Sequence, residues 1–200
     1  MLRAKSTKSK TLDLPEIGTH TARLVGLVDM GHQPGFEWNG KEIESSYQIE
    51  YTYELPNSLT KDGKPHWVSE QVKVNDFEGK GITSTMMYRF RVLDPANKGE
   101  DGKDLTSQLG NPCMVTLSAH SSGYPKIKGQ AAVGSIPLGM QVPELVNNIF
   151  IFSNPQVDEE GEVDVDLFYS FPEFKQDRIK SALDFETSKL FKALAEEDNL

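Results

Sequence analysis

The chain is 200 residues long, 37% hydrophobic, 9% aromatic and 26% charged, with a net charge of −9. That composition belongs to one globular domain with appendages, or to two very small ones, and excludes collagenous, coiled-coil and wholly disordered classes. No apolar run approaches the roughly 20 residues that span a bilayer, residues 1–10 lack the apolar centre of a secretory signal, and the single Cys113 allows neither an internal disulfide nor a zinc-ligand set, so a cytosolic product with no membrane partner, stabilised by its core alone, is expected.

The charge is segregated along the chain. Between Asn154 and Leu200 stand 13 acids and 5 bases, whereas the first 153 residues hold 17 acids and 16 bases. Residues 1–10 contain four bases and no acid. Blocks of like charge are either solvated surface or interaction tails. The expected division is a flexible basic arm over residues 1–13, a body over residues 14–153, and an acidic linker, amphipathic helices and a short acidic tail over residues 154–200.

The body reads as β. Residues 19–30 are rich in β-branched and aliphatic side chains and form the first strand, with Gly26 marking a bulge. Residues 31–40, with Pro34, Gly35, Asn39 and Gly40, form a long exposed turn that carries Phe36 and Trp38. Residues 45–55 then alternate: Tyr47, Ile49, Tyr51, Tyr53 and Leu55 share one face, and Gln48, Glu50, Thr52 and Glu54 the other. Pro56 is expected to end this second strand. A turn at Lys61-Asp62-Gly63-Lys64 leads into a third, residues 66–74, with Val68, Glu70, Val72 and Val74 on one face and Trp67, Ser69, Gln71 and Lys73 on the other. Met86, Met87, Phe90 and Leu93 recur at helical spacing and predict a short helix over residues 84–93, followed by a polar loop that includes residues 97–103. Strands resume at residues 113–119 and 124–136, and Pro137 closes the body.

Three strands, a short helix and two more strands are the plan of a mainly β, five-stranded OB-fold barrel with the helix between strands 3 and 4; other small barrels and sandwiches require different strand counts. Beyond Pro172, Ile179, Leu183, Phe185, Leu190, Phe191 and Leu194 line one apolar helical stripe. This C-terminal helical extension needs a partner surface, either the barrel or a second copy of the chain.

The common signatures of catalysis are missing. Gly79-Lys80-Gly81 lacks the glycine spacing and the hydroxyl of a phosphate-binding loop. His20, His32, His66 and His120 are scattered, without an i, i+4 pair to hold a metal. There is no G-x-S-x-G elbow, and Cys113 falls in an apolar alternation that predicts a buried, inert thiol. Glu50 and Glu54 share a strand face and read as solvated surface acids. The chain is therefore read as a non-enzyme with no cofactor and no metal.

Single-strand binding without sequence preference needs aromatic faces for bases and cations for phosphates along one groove, and an OB barrel offers that groove across strands 2 and 3 with their flanking loops. The candidates are Arg23 on the first strand, Phe36 and Trp38 on the long turn, Trp67 and Lys73 on the polar face of the third strand, and Tyr124, Lys126 and Lys128 on the last hairpin.

The run Gly18-Thr19-His20-Thr21-Ala22-Arg23-Leu24-Val25-Gly26-Leu27-Val28-Asp29-Met30-Gly31, then Trp38-Asn39-Gly40-Lys41 and Tyr53-Glu54-Leu55-Pro56, resembles the OB-fold single-stranded DNA-binding proteins of tailed bacteriophages. Phe171-Pro172-Glu173-Phe174-Lys175-Gln176-Asp177-Arg178-Ile179-Lys180-Ser181 is similar to their closing helix. The resemblance implies a protein that coats exposed single strands in phage replication, recombination or repair, in the cytoplasm of the infected bacterial host. Single-strand binders of this kind often end in an acidic tail that recruits partner enzymes, so Glu196, Glu197, Asp198 and Leu200 become a candidate docking tail for phage replication or recombination proteins. Self-association through the C-terminal helices stays open. So do two other functions: a protein-interaction or virion-assembly module using the aromatic turn, and a small metal-dependent hydrolase or nuclease built from Asp29, Glu50, Glu54 and Glu70.

Overall fold

The computed structural model describes residues 13–74, 85–98, 104–135 and 142–197. Five long strands form an antiparallel sheet: β1 (Gly18–Gln33), β4 (Ser46–Leu59), β5 (Pro65–Lys73), β6 (Pro112–Ser118) and β7 (Lys126–Ala132), in the spatial order β5-β4-β1-β6-β7. Between β1 and β4 the chain makes a separate two-stranded ribbon, β2 (Phe36–Trp38) and β3 (Lys41–Ile43). A sixth strand, β8 (Phe150–Phe152), joins the main sheet parallel to β1.

Helix α1 (Thr85–Leu93) lies between β5 and β6 in sequence, where the Met86/Met87/Phe90/Leu93 spacing places it. It buries those four residues and packs against β5, β6 and β7. The C-terminal layer consists of α2 (Val165–Ser170), α3 (Glu173–Lys180) and α4 (Lys189–Glu197).

The barrel expected from the strand count does not close among the described residues. No backbone pairing joins the two edge strands, β5 and β7. Side chains bridge the seam instead: Gln130 Nε2 on β7 donates to Glu70 Oε1 on β5 at 2.8 Å, and the Tyr88 hydroxyl on α1 donates to the Gln130 carbonyl at 2.7 Å. The helix thus reaches the backbone of the edge strand β7.

The bulge expected at Gly26 is present, since the β1–β4 register shifts between Leu24 and Gly26. One extra residue reverses which side chains face inward. Before it, Ala22 and Leu24 face the interior; after it, Leu27 does, and Val28 and Met30 turn to the outside. Two cores result. The first fills one side of the sheet with Leu24, Tyr51, Tyr53, Leu55, Cys113 and their neighbours. The second lies on the other side, where Val28 and Met30 meet Phe152, Phe168, Phe171, Ile179 and Leu190.

Several local expectations are corrected. Pro56 does not end the second strand, which runs on to Leu59; the proline sits where the ladder to β5 skips from Leu55 to Leu59, so its missing N–H costs no pairing. Of the exposed turn expected over residues 31–40, residues 31–33 finish β1 and residues 36–40 form the first half of the β2–β3 ribbon, turned by Asn39 and Gly40 at φ 52° and 73°. The strand expected over residues 124–136 is ordered as β7 and then a short 3-10 turn, Val133–Ser135.

Helical structure also begins before Pro172, because the Asp164 side chain caps α2 by accepting from the Leu167 N–H at 2.8 Å. The C-terminal stripe is not one helix face. The helix stops at Ser181, the Leu183 N–H donates to the His32 carbonyl at 2.8 Å, and a 3-10 turn intervenes before α4. The phase is lost across this break: Ile179 and Leu190 are buried while Leu183 and Phe191 are exposed. Residues 1–12 of the arm expected over residues 1–13, the segment over residues 75–84 with Gly79-Lys80-Gly81, part of the loop at residues 99–103, and Pro137 lie outside the described residues.

Candidate nucleic-acid interface

The alternation of β5 sorts its side chains. His66, Val68 and Val72 are buried, and Trp67, Ser69, Gln71 and Lys73 form an exposed row on the outer side. Six steps along the strand take Trp67 to Lys73, a distance of about 20 Å at ~3.3 Å per residue. Register sets Glu54, Thr52, Glu50 and Gln48 of β4 directly beside this row. Glu70, on the inner side, lies 2.8 Å from Arg89 Nε and accepts from Arg89 Nη2 at 2.9 Å, a largely buried ion pair next to Tyr53.

Glu50 and Glu54 are not solvated, as their place on an outer strand face had suggested. Both are buried, because the chain after β7 crosses back over β4. The Lys175 Nζ on α3 stands 2.5 Å from Glu50 Oε1 and also 4.9 Å from the centre of the Phe171 ring. Glu54, with no exposed surface, accepts from the Val146 N–H at 2.6 Å, from the Asn147 N–H at 3.2 Å and from the Asn147 side-chain amide at 2.6 Å. A buried carboxylate persists only when its oxygens are paired in this way.

Trp67 stands at the edge of that covered region, 44% exposed. Its ring stacks on Phe150 of β8 with centroids 5.7 Å apart and planes 22° off parallel, and its Nε1 donates to Glu54 Oε2 at 3.3 Å.

Across the seam, β7 points Lys126 and Lys128 outward on either side of the buried Ile127. Lys126 and Ile127 line an open cleft of about 420 Å³ together with Ser69, Gln71, Glu50 and Glu70. The fold thus brings the outer row of β5 and the outer lysines of β7 to one region. Tyr124 is 53% exposed in the turn before β7, beside the N-terminal end of β1.

The ribbon emerges at the other end of β1. Its register pairs Phe36 with Ile43, Glu37 with Glu42 and Trp38 with Lys41. Alternation therefore puts Phe36, Trp38, Lys41 and Ile43 on one face and the two glutamates on the other. Phe36 and Trp38 are exposed. Lys73 is paired with Gln48, close to the start of β4, so the β5 row runs from Trp67 toward the ribbon's base.

Arg23 is not on this surface. Its guanidinium donates to the carbonyls of Pro143 at 2.6 Å, Gly110 at 2.8 Å and Val142 at 3.1 Å and pairs with Glu144 at 3.0 Å. It pins the returning chain to β1. Glu196 is exposed near the end of α4, while the Glu197 side chain, Asp198 and Leu200 lie outside the described residues.

The four carboxylates of the metal-site reading do not converge. Glu50, Glu54 and Glu70 have the separate partners described above, and Asp29 accepts from the Gly31 N–H at 2.9 Å and the Asn154 N–H at 3.4 Å. Burial raises the Asp29 carboxyl above its ordinary value, and the same burial together with Asp29 raises the Tyr47 hydroxyl. Among the described residues no group of three metal-ligating side chains forms. Cys113 is buried as expected, and desolvation pushes its thiol up to about 12.

No family model, curated protein or solved structure matches this chain. Its own geometry carries the functional argument. Among the described residues no helix is long and apolar enough to cross a membrane.

Sequence reasoning missed Phe150, Glu54, Lys175 and Lys41 as parts of this surface. For Lys41 a signal existed: Asn39-Gly40 is the dipeptide of a tight hairpin turn, and reading it so pairs Trp38 with Lys41. For Glu54 the β4–β5 register sets it beside Trp67, but its burial, like the placement of Phe150 and Lys175, depends on where the returning chain lands.

Proposed function

We propose that this protein binds and protects single-stranded DNA without strong sequence preference, by base stacking and phosphate contacts, as a non-enzymatic component of phage replication and recombination in the host cytoplasm. The observation that carries the reading is the outer row of β5: a half-exposed indole at one end, a lysine at the other, hydroxyl and amide groups between, and Lys126 and Lys128 across the seam. Stacking is indifferent to base identity and lysines track phosphates, so this set suits any single strand. The aromatic face of the ribbon, with Lys41 opposite Trp38 and Ile43 opposite Phe36, extends the same chemistry.

The strand order supports an OB-type plan. Numbered by the long strands alone, β5-β4-β1-β6-β7 reads 3-2-1-4-5, with α1 between the third and fourth, and the proposed surface falls on strands three and five and on the ribbon between strands one and two. The resemblance of residues 18–31 and 171–181 to phage single-strand binders supplies the biological setting. The acidic C-terminal residues are assigned to recruitment of replication partners.

Titration with an oligothymidine of about 30 nucleotides, followed by tryptophan fluorescence beside a duplex control, tests the reading. The single strand is expected to quench strongly and raised salt to reverse part of the effect. Trp67→Ala is expected to weaken binding by about 1–3 kcal/mol, roughly 5- to 150-fold. Absence of binding at micromolar protein overturns the proposal and leaves the exposed ribbon as a protein-docking element.

A further inference from the structure

Trp67 is the one large aromatic of the β5 row, and its exposure is incomplete for a specific reason. One face of the indole lies against Phe150, and the Phe150 ring occupies the space that a side chain at residue 26 would fill: a Cβ on Gly26 would overlap it. The parallel pairing of β8 with β1 sets Phe150 beside Gly26 and Phe152 beside Val28, the latter in the second core. The phenylalanine is therefore seated by backbone on one side and by a notch on the other.

The indole edge is fixed as well. Its N–H donates to Glu54, and that carboxylate is itself held by three donors from Val146 and Asn147. The three donors answer the cost of burying Glu54 and leave its bond to the indole to orient a ring that remains 44% exposed. Such a bond preorganises: a side chain already in its bound geometry loses less entropy when a ligand arrives.

We infer that Phe150 and Glu54 are positioning residues which preset the Trp67 indole, one face backed and one face open, as a fixed stacking platform for a single base. The inference rests on the single-strand-binding reading and adds to it residues that touch no DNA themselves. Phe150 supports the ring by its flat π-face, so an aliphatic side chain of similar size does not replace it and another aromatic does. Glu54 supports it by accepting the indole N–H while accepting from the returning chain; an amide in its place has one acceptor oxygen instead of two.

The test uses the full chain. A labelled oligothymidine titrated into the unaltered protein decides whether single strands bind at all; no binding removes both the function and the inference. Phe150→Leu, Phe150→Tyr and Glu54→Gln are then compared, each also in a Trp38→Phe background where Trp67 is the sole tryptophan reporter. The expected result is slow anisotropy decay of Trp67 in the free parent, a fast local component in Phe150→Leu and in Glu54→Gln, affinity weakened about 5-fold or more in both, and recovery of rigidity and affinity in Phe150→Tyr. Equal affinity of Phe150→Leu and the parent overturns the inference while leaving the function standing. Loss in Phe150→Tyr equal to that in Phe150→Leu overturns it too, since the position would then matter only for packing. If a variant fails to fold, the Trp38→Phe parent alone decides: a fast local component of Trp67 before DNA is added shows that the ring is not preset.

Discussion

Cys113 and Tyr51 show how the inner face of the sheet constrains chemistry at single side chains. Both are fully buried, and desolvation pushes each up to about 12, from ordinary values of 9.0 and 10.0. In the folded chain they stay protonated where the unfolded chain would ionise. The unfolded state therefore binds fewer protons between pH 9 and pH 12, and stability falls as pH rises through that window. Urea unfolding at pH 8 and pH 10.5 is expected to show the loss, and a thiol reagent at pH 8 is expected to leave Cys113 unmodified until denaturant is added. The outer face obeys the complementary rule. Glu50 and Glu54 are buried charges that persist because Lys175 and the Val146–Asn147 amides answer them.

Among the elements, β1 carries the most varied duties. It pairs with β4, β6 and β8, and its bulge lets one strand serve both cores. Two glycines make the second duty possible. At Gly31, φ is +70° and a Cβ would come within 2.8 Å of Ala182, so the C-terminal layer rests directly on backbone. At Gly26 the missing side chain receives the Phe150 ring. Gly26→Ala is expected to lift β8 and cost about 1–3 kcal/mol through overpacking. A lowered Tm with a red-shifted Trp67 emission would register both effects, because the indole loses its backing as the strand moves.

For the molecule as a whole, the C-terminal segment is a second layer rather than a pendant tail. Phe168 has no exposed surface and meets Phe152 with ring centroids 6.0 Å apart, while the buried Gln33 side chain donates to the carbonyls of Met30 and of Arg178 on α3, the latter at 3.1 Å. Phe168→Ala is expected to destabilise by about 3–5 kcal/mol. Because the two cores share β1, its unfolding is expected to remain a single transition, with far-UV circular dichroism and tryptophan fluorescence superimposed; two separated transitions would show that the layer melts by itself. The same layering explains the shape of the proposed interface. The returning chain covers the outer side of β4, so what faces solvent is the row on β5, the lysines of β7 and the ribbon.

Elements whose cause is local were legible in the residue pattern. Strict alternation marked β4 and β5, helical spacing marked α1, the glycine inside an aliphatic run marked the bulge, and an apolar alternation marked Cys113 as buried. The pattern also singled out Trp67, Lys73, Lys126 and Lys128 as a candidate surface, since period-2 alternation decides which side chains leave a sheet together. Tertiary structure alone decided the rest. That Arg23 pins backbone carbonyls, that Glu50 and Glu54 are buried and that Phe150 backs Trp67 follow from where residues 142–175 cross the sheet, and the C-terminal stripe breaks after Ser181, where Leu183 bonds to the end of β1. Contacts between residues some 90 positions apart leave no periodicity in either segment, because each strand's pattern records only which face is buried and not which part of the chain buries it.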